Sequence, residues 1–463
     1  MMPVRSVLPM LAYAAVQLVW ATQIGHATPL LRSVGILDAD IPRIWLAAPL
    51  MGICVQPVVG LWSDSASCCG GRLGRRRPFM IAGAVCTVIS MNVFANSPRA
   101  PGSELCKFIA IASFWMLDGS INMIQGPLRA LLADTVPPAE QPMANALFAT
   151  GNGLGKTIGY GLGSASMLVH HNSDNHGGYA LLFGAASVIF TTLISVSLCF
   201  MREMPVSDAS DATDLEARED SSSDLKESSR TRIFRILTSL VQDPAWPYLL
   251  RAGAVQTATY FAWYGTFIFW TDWSGSEVFG GNADASPGSP ERHLFDRGVR
   301  IANLGLCLMG AMSMALSTVF PFILRICGVR WTWTFCELVL ASVLLGSWYV
   351  PLGSATAVLV ASTLLSIPLS STFTIPWSIV TLSLENSPNK GAFTSLFNLC
   401  QCVPQVLVSL ISPALIRAHD GHVHSVLLLG GAGALLGTLL IPFLASRALV
   451  NELFGEPSSS KRQ

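Results

Sequence analysis

The stretch VLLLGGAGALLGTLLIPFLA, Val426 to Ala445, runs for twenty positions without a charged side chain. A hydrocarbon core of ~30 Å takes about 20 residues of α-helix to cross, so this run predicts a membrane helix. The rest of the chain agrees with it. Of 463 residues, 51% are apolar and only 12% are charged, against about 25% charged in soluble proteins. Too few charged groups remain to cover a water-facing surface of that size, which excludes a large soluble enzyme. The formal net charge is zero and gives no basis for a nucleic-acid partner.

Comparable apolar runs predict twelve spans, at 7–31, 41–62, 79–96, 105–133, 143–169, 179–201, 248–272, 299–323, 331–351, 355–384, 391–416 and 424–448. The N-terminal run continues past Val19 with Gln17, Trp20 and Gln23 inside it, as a first membrane helix does and a cleavable signal does not. Of the eleven cysteines, those inside spans (Cys54, Cys86, Cys199, Cys307, Cys336, Cys400, Cys402) read as small core residues. Cys68 and Cys69 sit in a loop without the spacing of a zinc site or a disulfide framework. Ser207 to Ser229 is rich in Ser, Asp and Glu and cannot bury enough apolar area to order itself. The expected organisation is a six-helix half at 1–201, a cytoplasmic and largely disordered linker at 202–245, a second half at 246–450 and a tail at 451–463. Six plus six helices around a linker is the layout of the major facilitator fold, an all-α membrane architecture.

Lys and Arg set the orientation. With both termini in the cytoplasm, 17 of them lie inside, eight outside and three within spans. Between the second and third spans stand Gly60-Leu-Trp-Ser-Asp64 and Arg72-Leu-Gly-Arg-Arg-Arg-Pro78. A bare positive-inside cluster accounts for the arginines alone. The Gly, the Asp and the spaced arginines together match the major facilitator loop motif, in which Asp64, Arg72, Arg75, Arg76 and Arg77 would bond to neighbouring helix ends and hold one conformation closed. A weaker copy, Arg325-Ile-Cys-Gly-Val-Arg330, follows the eighth span. Asp134 and Glu385 close the cytoplasmic ends of the fourth and tenth spans and are expected to anchor the arginines of their own halves.

The fourth span carries Asp118, Asn122, Gln125 and Arg129 at offsets 0, 4, 7 and 11, which 3.6 residues per turn stacks on one face. A charge near the bilayer middle costs on the order of 2.5–3.5 kcal/mol on insertion scales, so this stripe is expected to face a water-filled cavity; a polar packing seam between helices is the plainer reading. Asp118 lies near the midpoint, placed to exchange a proton. Arg129 is ~16 Å further on at 1.5 Å per residue, too far for a direct pair, and suits a fixed charge.

Gln17, Trp20 and Gln23 cover one arc of the first span. Two amides beside an indole suit sugar hydroxyls and the apolar face of a sugar ring; interhelical amide bonding explains them equally well. Asn152 and Lys156 are i and i+4 on the fifth span, where Lys156 either snorkels or balances a carboxylate. Glu337 is a second titratable candidate, and His26 reads as structural. Gly151, Gly153, Gly155, Gly159, Gly161 and Gly163 predict close helix approach. They form no phosphate loop, since no strand precedes them and no Lys-Ser/Thr pair follows. No nucleophile, metal or cofactor constellation indicates an enzyme.

These residues resemble the sucrose–proton symporter family, plant proteins with fungal and animal relatives, within the glycoside–pentoside–hexuronide branch of the major facilitators. The resemblance is carried by QLVWATQIGHATP (Gln17–Pro29), Val55 to Asp64, Arg72 to Phe79, LDGSINMIQGPLRALLAD (Leu117–Asp134), Thr271-Asp-Trp-Ser-Gly275, Gly298-Val-Arg300, Phe397-Asn-Leu399 and Val403-Pro-Gln405. It implies that Asp118 is the protonatable carboxylate and that Arg129 and Arg300 are functional arginines. Gln17, Trp20, Gln23, Asn122, Gln125, Arg129, Asn152 and Arg300 are then the expected sugar-binding set. The chain departs from plant members at Ile301, where an acidic residue often follows the Gly-Val-Arg, and at Leu37 to Pro42, where a histidine stands. The implied activity is proton-coupled symport of sucrose or a related α-glucoside, driven by the proton gradient without a cofactor. Its partners are the lipid bilayer, the sugar and protons, with a monomer sufficient and the plasma membrane expected ahead of the vacuolar one. The alternative is proton-coupled export of a small metabolite on the same fold.

Overall fold

The computed structural model describes residues 4–37, 39–65, 74, 76–97, 103–135, 141–169, 175–201, 238, 240–286, 288–384 and 390–444. The expected linker core at 207–229 and the tail at 451–463 lie outside the described residues. Among those described, every regular element is helical. The first group comprises α1 (Val4–Ser33), the short α2 (Ile41–Ile44), α3 (Ala47–Ser65), α4 (Arg77–Asn96), α5 (Glu104–Thr135), α6 (Gln141–Val169) and α7 (Asn175–Phe200). The second comprises α8 (Trp246–Trp273) with a π-helical turn at Ser274–Val278, then α9 (Pro290–Cys327), α10 (Val329–Gly346), α11 (Ala355–Leu364), α12 (Ser366–Ser383), α13 (Lys390–Ala418) and α14 (His424–Leu444).

Nine segments among the described residues are long and apolar enough to cross a membrane. The three long helices outside that set are α5, α6 and α8. α5 and α6 are diluted by Asp118, Asn122, Gln125, Arg129, Asn152 and Lys156. Large apolar side chains such as Phe108, Val188, Phe200, Phe322 and Phe443 stand exposed around the outside. An apolar girdle of this kind suits lipid and would be a liability in water. Cys54 and Cys199, expected in the core, are on this exposed surface, because their helix faces turn outward.

Three segments differ from the sequence reading for local reasons. The second predicted span breaks between α2 and α3, since Pro49 has no N–H to offer the carbonyl of Trp45. That carbonyl takes the Ala48 N–H at 3.2 Å and the Tyr264 hydroxyl of α8. The tenth span breaks at Leu365, where Pro368 leaves the carbonyl of Leu364 without its i+4 donor. The eighth starts nine residues before the expected 299. Ser289 caps it by accepting from the Arg292 N–H at 3.2 Å, Pro290 follows, and Glu291 complements the N-terminal dipole.

The glycines of α6 decide how the two groups meet. A Cβ on Gly155 would come within 2.3 Å of the Ala14 carbonyl oxygen, and one on Gly159 within 2.7 Å of Ala21 Cβ, so α1 lies directly on this face. On another face a Cβ on Gly153 would come within 2.7 Å of Met314 Cβ, and α9 returns the fit with Gly310 against Thr157. α6 is thereby wedged between α1 and α9, and α1–α8 and α3–α13 contacts flank this seam.

Candidate functional site

The stripe on α5 forms one hydrogen-bonded run. The Nε2 of Gln23, on α1, donates to Asp118 Oδ1 at 3.2 Å. Asn122 Nδ2 donates to the Asp118 carbonyl at 2.9 Å. Gln56 of α3 then holds two amides at once, its Nε2 donating to Asn122 Oδ1 at 2.7 Å and Gln125 Oε1 at 3.3 Å. At the far end the Arg129 guanidinium lies 5.9 Å from the Tyr13 ring centre and 4.9 Å from that of Trp377 on α12, a cation over two π-faces. Trp377 in turn stands edge-on to Phe397 at 4.8 Å.

Exposure falls steadily along this stripe. Arg129 is exposed and Gln125 half-buried, while Asn122 is 3% and Asp118 0% exposed. The polar face thus leads inward from the Arg129 end and stops at a carboxylate. One oxygen of that carboxylate, Oδ2, has no hydrogen-bond partner among the described residues. A buried acceptor without a donor is costly, roughly 1–3 kcal/mol.

The opposite end is shut. Arg32 Nη1 meets Asp272 Oδ1 at 2.7 Å across the first and second helix groups, the two side chains 9% and 0% exposed. Arg32 also lies 3.7 Å from Asp284 Oδ2 and 5.6 Å from the Phe295 ring centre. One turn inward, Thr28 donates to the Ile268 carbonyl at 2.8 Å and receives the Trp45 indole N–H at 3.2 Å. Gln23 precedes Arg32 by nine residues on α1, so this seal stands about 14 Å from the Asp118 contact at 1.5 Å per residue.

Other expected binding residues lie outside this run. Gln17 is buried on α1, and Trp20 packs half-buried against the core. Asn152 and Lys156 are both buried on α6; Asn152 Oδ1 has no partner among the described residues, and Lys156 Nζ sits 5.1 Å from the Phe373 ring centre. Arg300 is half-buried on α9, one turn before Asn303, whose amide reaches the Gly25 carbonyl at 3.4 Å. It makes no hydrogen bond to the stripe among the described residues. Glu337 is enclosed within the second group, accepting from Thr259 at 2.8 Å.

Of the expected gating residues, Arg77 donates to the Leu198 and Met201 carbonyls at the end of α7. Arg76 is buried beside it, Arg325 is exposed, and Arg330 lies 5.7 Å from the Trp331 ring centre. Arg72, Arg75 and Glu385 lie outside the described residues, as do the side chains of Asp64 and Asp134. Gln56, Trp377 and the Arg32–Asp272 pair are the features that sequence reasoning missed. Gln56 lies in the Val55–Asp64 stretch and Asp272 in Thr271–Gly275, and a lone polar group in an apolar helix was the available signal.

Helices wedged in two groups around a buried polar track define a membrane carrier, with no catalytic constellation among the described residues. The Major Facilitator Superfamily model matches residues 9–409. The chain is 30% identical over 446 residues to the sucrose transport protein SUT2 of Oryza sativa subsp. japonica, covering 88% of this chain and 86% of that one. It is 28% identical over 462 residues to SUC4 of Arabidopsis thaliana, with 92% and 86% covered. The solved nucleoside transporter NupG shares the fold at a TM-score of 0.60 and 11% identity, covering 96% of this chain and all of that one. The chain therefore belongs to the Major Facilitator Superfamily and, within it, to the family of the sucrose transport proteins.

Proposed function

We propose that the chain carries sucrose or a related α-glucoside across the membrane together with a proton. All twelve long helices cross the bilayer, both termini face the cytoplasm, and the two groups rock about the central track as a monomer. The observation that carries this reading is the position of Asp118: fully buried at the end of a polar track, bonded through one oxygen to Gln23, with the other oxygen unpartnered among the described residues. The carboxylate takes a proton when the track opens to the outer side, and the sugar hydroxyls engage the amides of Gln23, Asn122 and Gln125. A neutral acid crosses the low-dielectric middle at far lower cost than a charged one. Closure on one side and opening on the other releases sugar and proton to the cytoplasm.

The relatives' names supply the cargo, and the amide-rich track supports it. The test uses the purified chain in liposomes that enclose a pH-sensitive dye. An inward sucrose gradient with no initial pH difference should acidify the lumen, and an equal mannitol gradient should not. Sucrose entry without any proton movement would reject the coupling and leave a uniporter.

A further inference from the structure

At the sealed end, a second polar cluster lies apart from the transport track. The π-helical turn at the end of α8 carries Glu277, and insertions of this kind concentrate at functional sites. Its Oε1 accepts from the backbone N–H groups of Val423 and His424, at 2.6 and 3.1 Å, and so caps the start of α14. Its Oε2 lies 2.6 Å from His424 Nδ1. Just before this, the backbone turns through two left-handed residues, Asp420 (φ 54°) and Gly421 (φ 87°). The turn brings His422 over the same carboxylate, with Nδ1 3.8 Å from Glu277 Oε1.

The cap alone explains Glu277 and the first backbone turn of α14. It does not explain two imidazoles converging on one carboxylate. One ligand atom from each of Glu277, His422 and His424 lies within 4.8 Å of the others. The rings of His422 and His424 are 5.4 Å apart, and Trp348 packs edge-on to His424 at 4.6 Å and fixes its ring. The cluster borders a cavity of about 570 Å³ also lined by Arg32, Asp272 and Asp420, which gives an ion an approach and leaves a position for water.

We propose that Glu277, His422 and His424 form a site for a zinc-class divalent transition metal at the mouth of the carrier. Two imidazoles, one carboxylate and an open fourth position are the donor set that Zn²⁺ favours. Ca²⁺ and Mg²⁺ require six or more oxygen ligands and are disfavoured. On binding, the metal takes the place of the proton between Glu277 Oε2 and His424 Nδ1: a neutral His424 then carries its proton on Nε2, and an imidazolium gives one up to solvent. Those two atoms open from 2.6 Å to roughly 3.3 Å, as metal–ligand distances of about 2.0–2.1 Å in a tetrahedron require. The bound ion ties the end of α8 to the start of α14. Asp272, which holds Arg32, is five residues before Glu277 on the same segment.

The test is equilibrium binding of Zn²⁺ alone to the full purified chain in detergent, with thermal unfolding followed in parallel. One saturable Zn²⁺ per chain is expected, undisturbed by millimolar Ca²⁺ or Mg²⁺, together with a rise in unfolding temperature. His422→Ala should weaken binding by about tenfold or more and remove that rise, while His422→Cys should retain both. His422 is 59% exposed and takes no part in the cap, so these variants fold as the parent does. Absence of saturable binding, or equal affinity in wild type and His422→Ala, would overturn the site.

Discussion

Arg32 on α1 and Asp272 on α8 are 240 residues apart in sequence and 2.7 Å apart in space, both buried where the two helix groups meet. Removing Arg32 leaves a buried carboxylate uncompensated and costs about 3–5 kcal/mol, while removing Asp272 leaves Arg32 with the longer contact to Asp284 at 3.7 Å. The pair bridges the two groups where this end is sealed, so that cost is expected to fall on the sealed state. Asp272→Asn and Arg32→Gln should each raise labelling of a cysteine placed at Thr28 by a membrane-impermeant maleimide. The exchanged double variant, Arg32→Asp with Asp272→Arg, should lower it again. Equal labelling in wild type and single variants would show that the pair does not hold the seal.

Gly155 and Gly184 should respond oppositely to alanine. A Cβ at Gly155 would meet the Ala14 carbonyl oxygen and the Gln17 side chain, whereas one at Gly184 has nothing within 4 Å. Overpacking of this kind costs typically ~1–3 kcal/mol, and a helical Gly→Ala in free space gains roughly 0.5–1 kcal/mol. Thermal unfolding in detergent should therefore fall for Gly155→Ala and hold or rise for Gly184→Ala.

Gln56 lends one amide nitrogen to two acceptors, Asn122 and Gln125. Gln56→Leu keeps the volume and leaves both oxygens without that donor, at a cost of up to about 1–3 kcal/mol for that of the buried Asn122. The expected result is a several-fold rise in KM for sucrose with little change in protein yield, measured by initial uptake rates.

Arg77 caps the end of α7 through the Leu198 and Met201 carbonyls. In the proposed cycle this contact forms part of the cytoplasmic latch. Neutralising Arg75, Arg76 and Arg77 together should slow turnover more than it lowers yield. Transport at the wild-type rate per molecule would remove the loop from the mechanism.

The α5 stripe was legible because polar residues at helical spacing on an apolar background announce a face by themselves. The long helices were legible for the related reason that lipid demands runs of fixed length. The partners of the stripe were not. Gln56 is a single amide on α3, and its role exists only once α3 lies on α5. Asp272 reads in sequence as a carboxylate at a helix end, which water would ordinarily solvate, and its burial depends on Arg32 arriving from the other group. The breaks at Trp45 and Leu365 were written in Pro49 and Pro368, yet prolines elsewhere, such as Pro127 in α5, sit inside unbroken helices. Ser289-Pro290-Glu291 is a helix start in its own right, masked in the sequence because the apolar run begins later.

The central claim is that Asp118 carries the coupled proton, and it is tested most directly by accumulation of labelled sucrose at pH 5 and pH 7. Wild type should concentrate sucrose above the medium at pH 5 and much less at pH 7. Asp118→Asn should lose this accumulation at both pH values while still exchanging labelled for unlabelled sucrose, since the asparagine preserves shape and hydrogen bonding but takes up no proton. Accumulation by Asp118→Asn equal to wild type, with the same dependence on pH, would contradict the account.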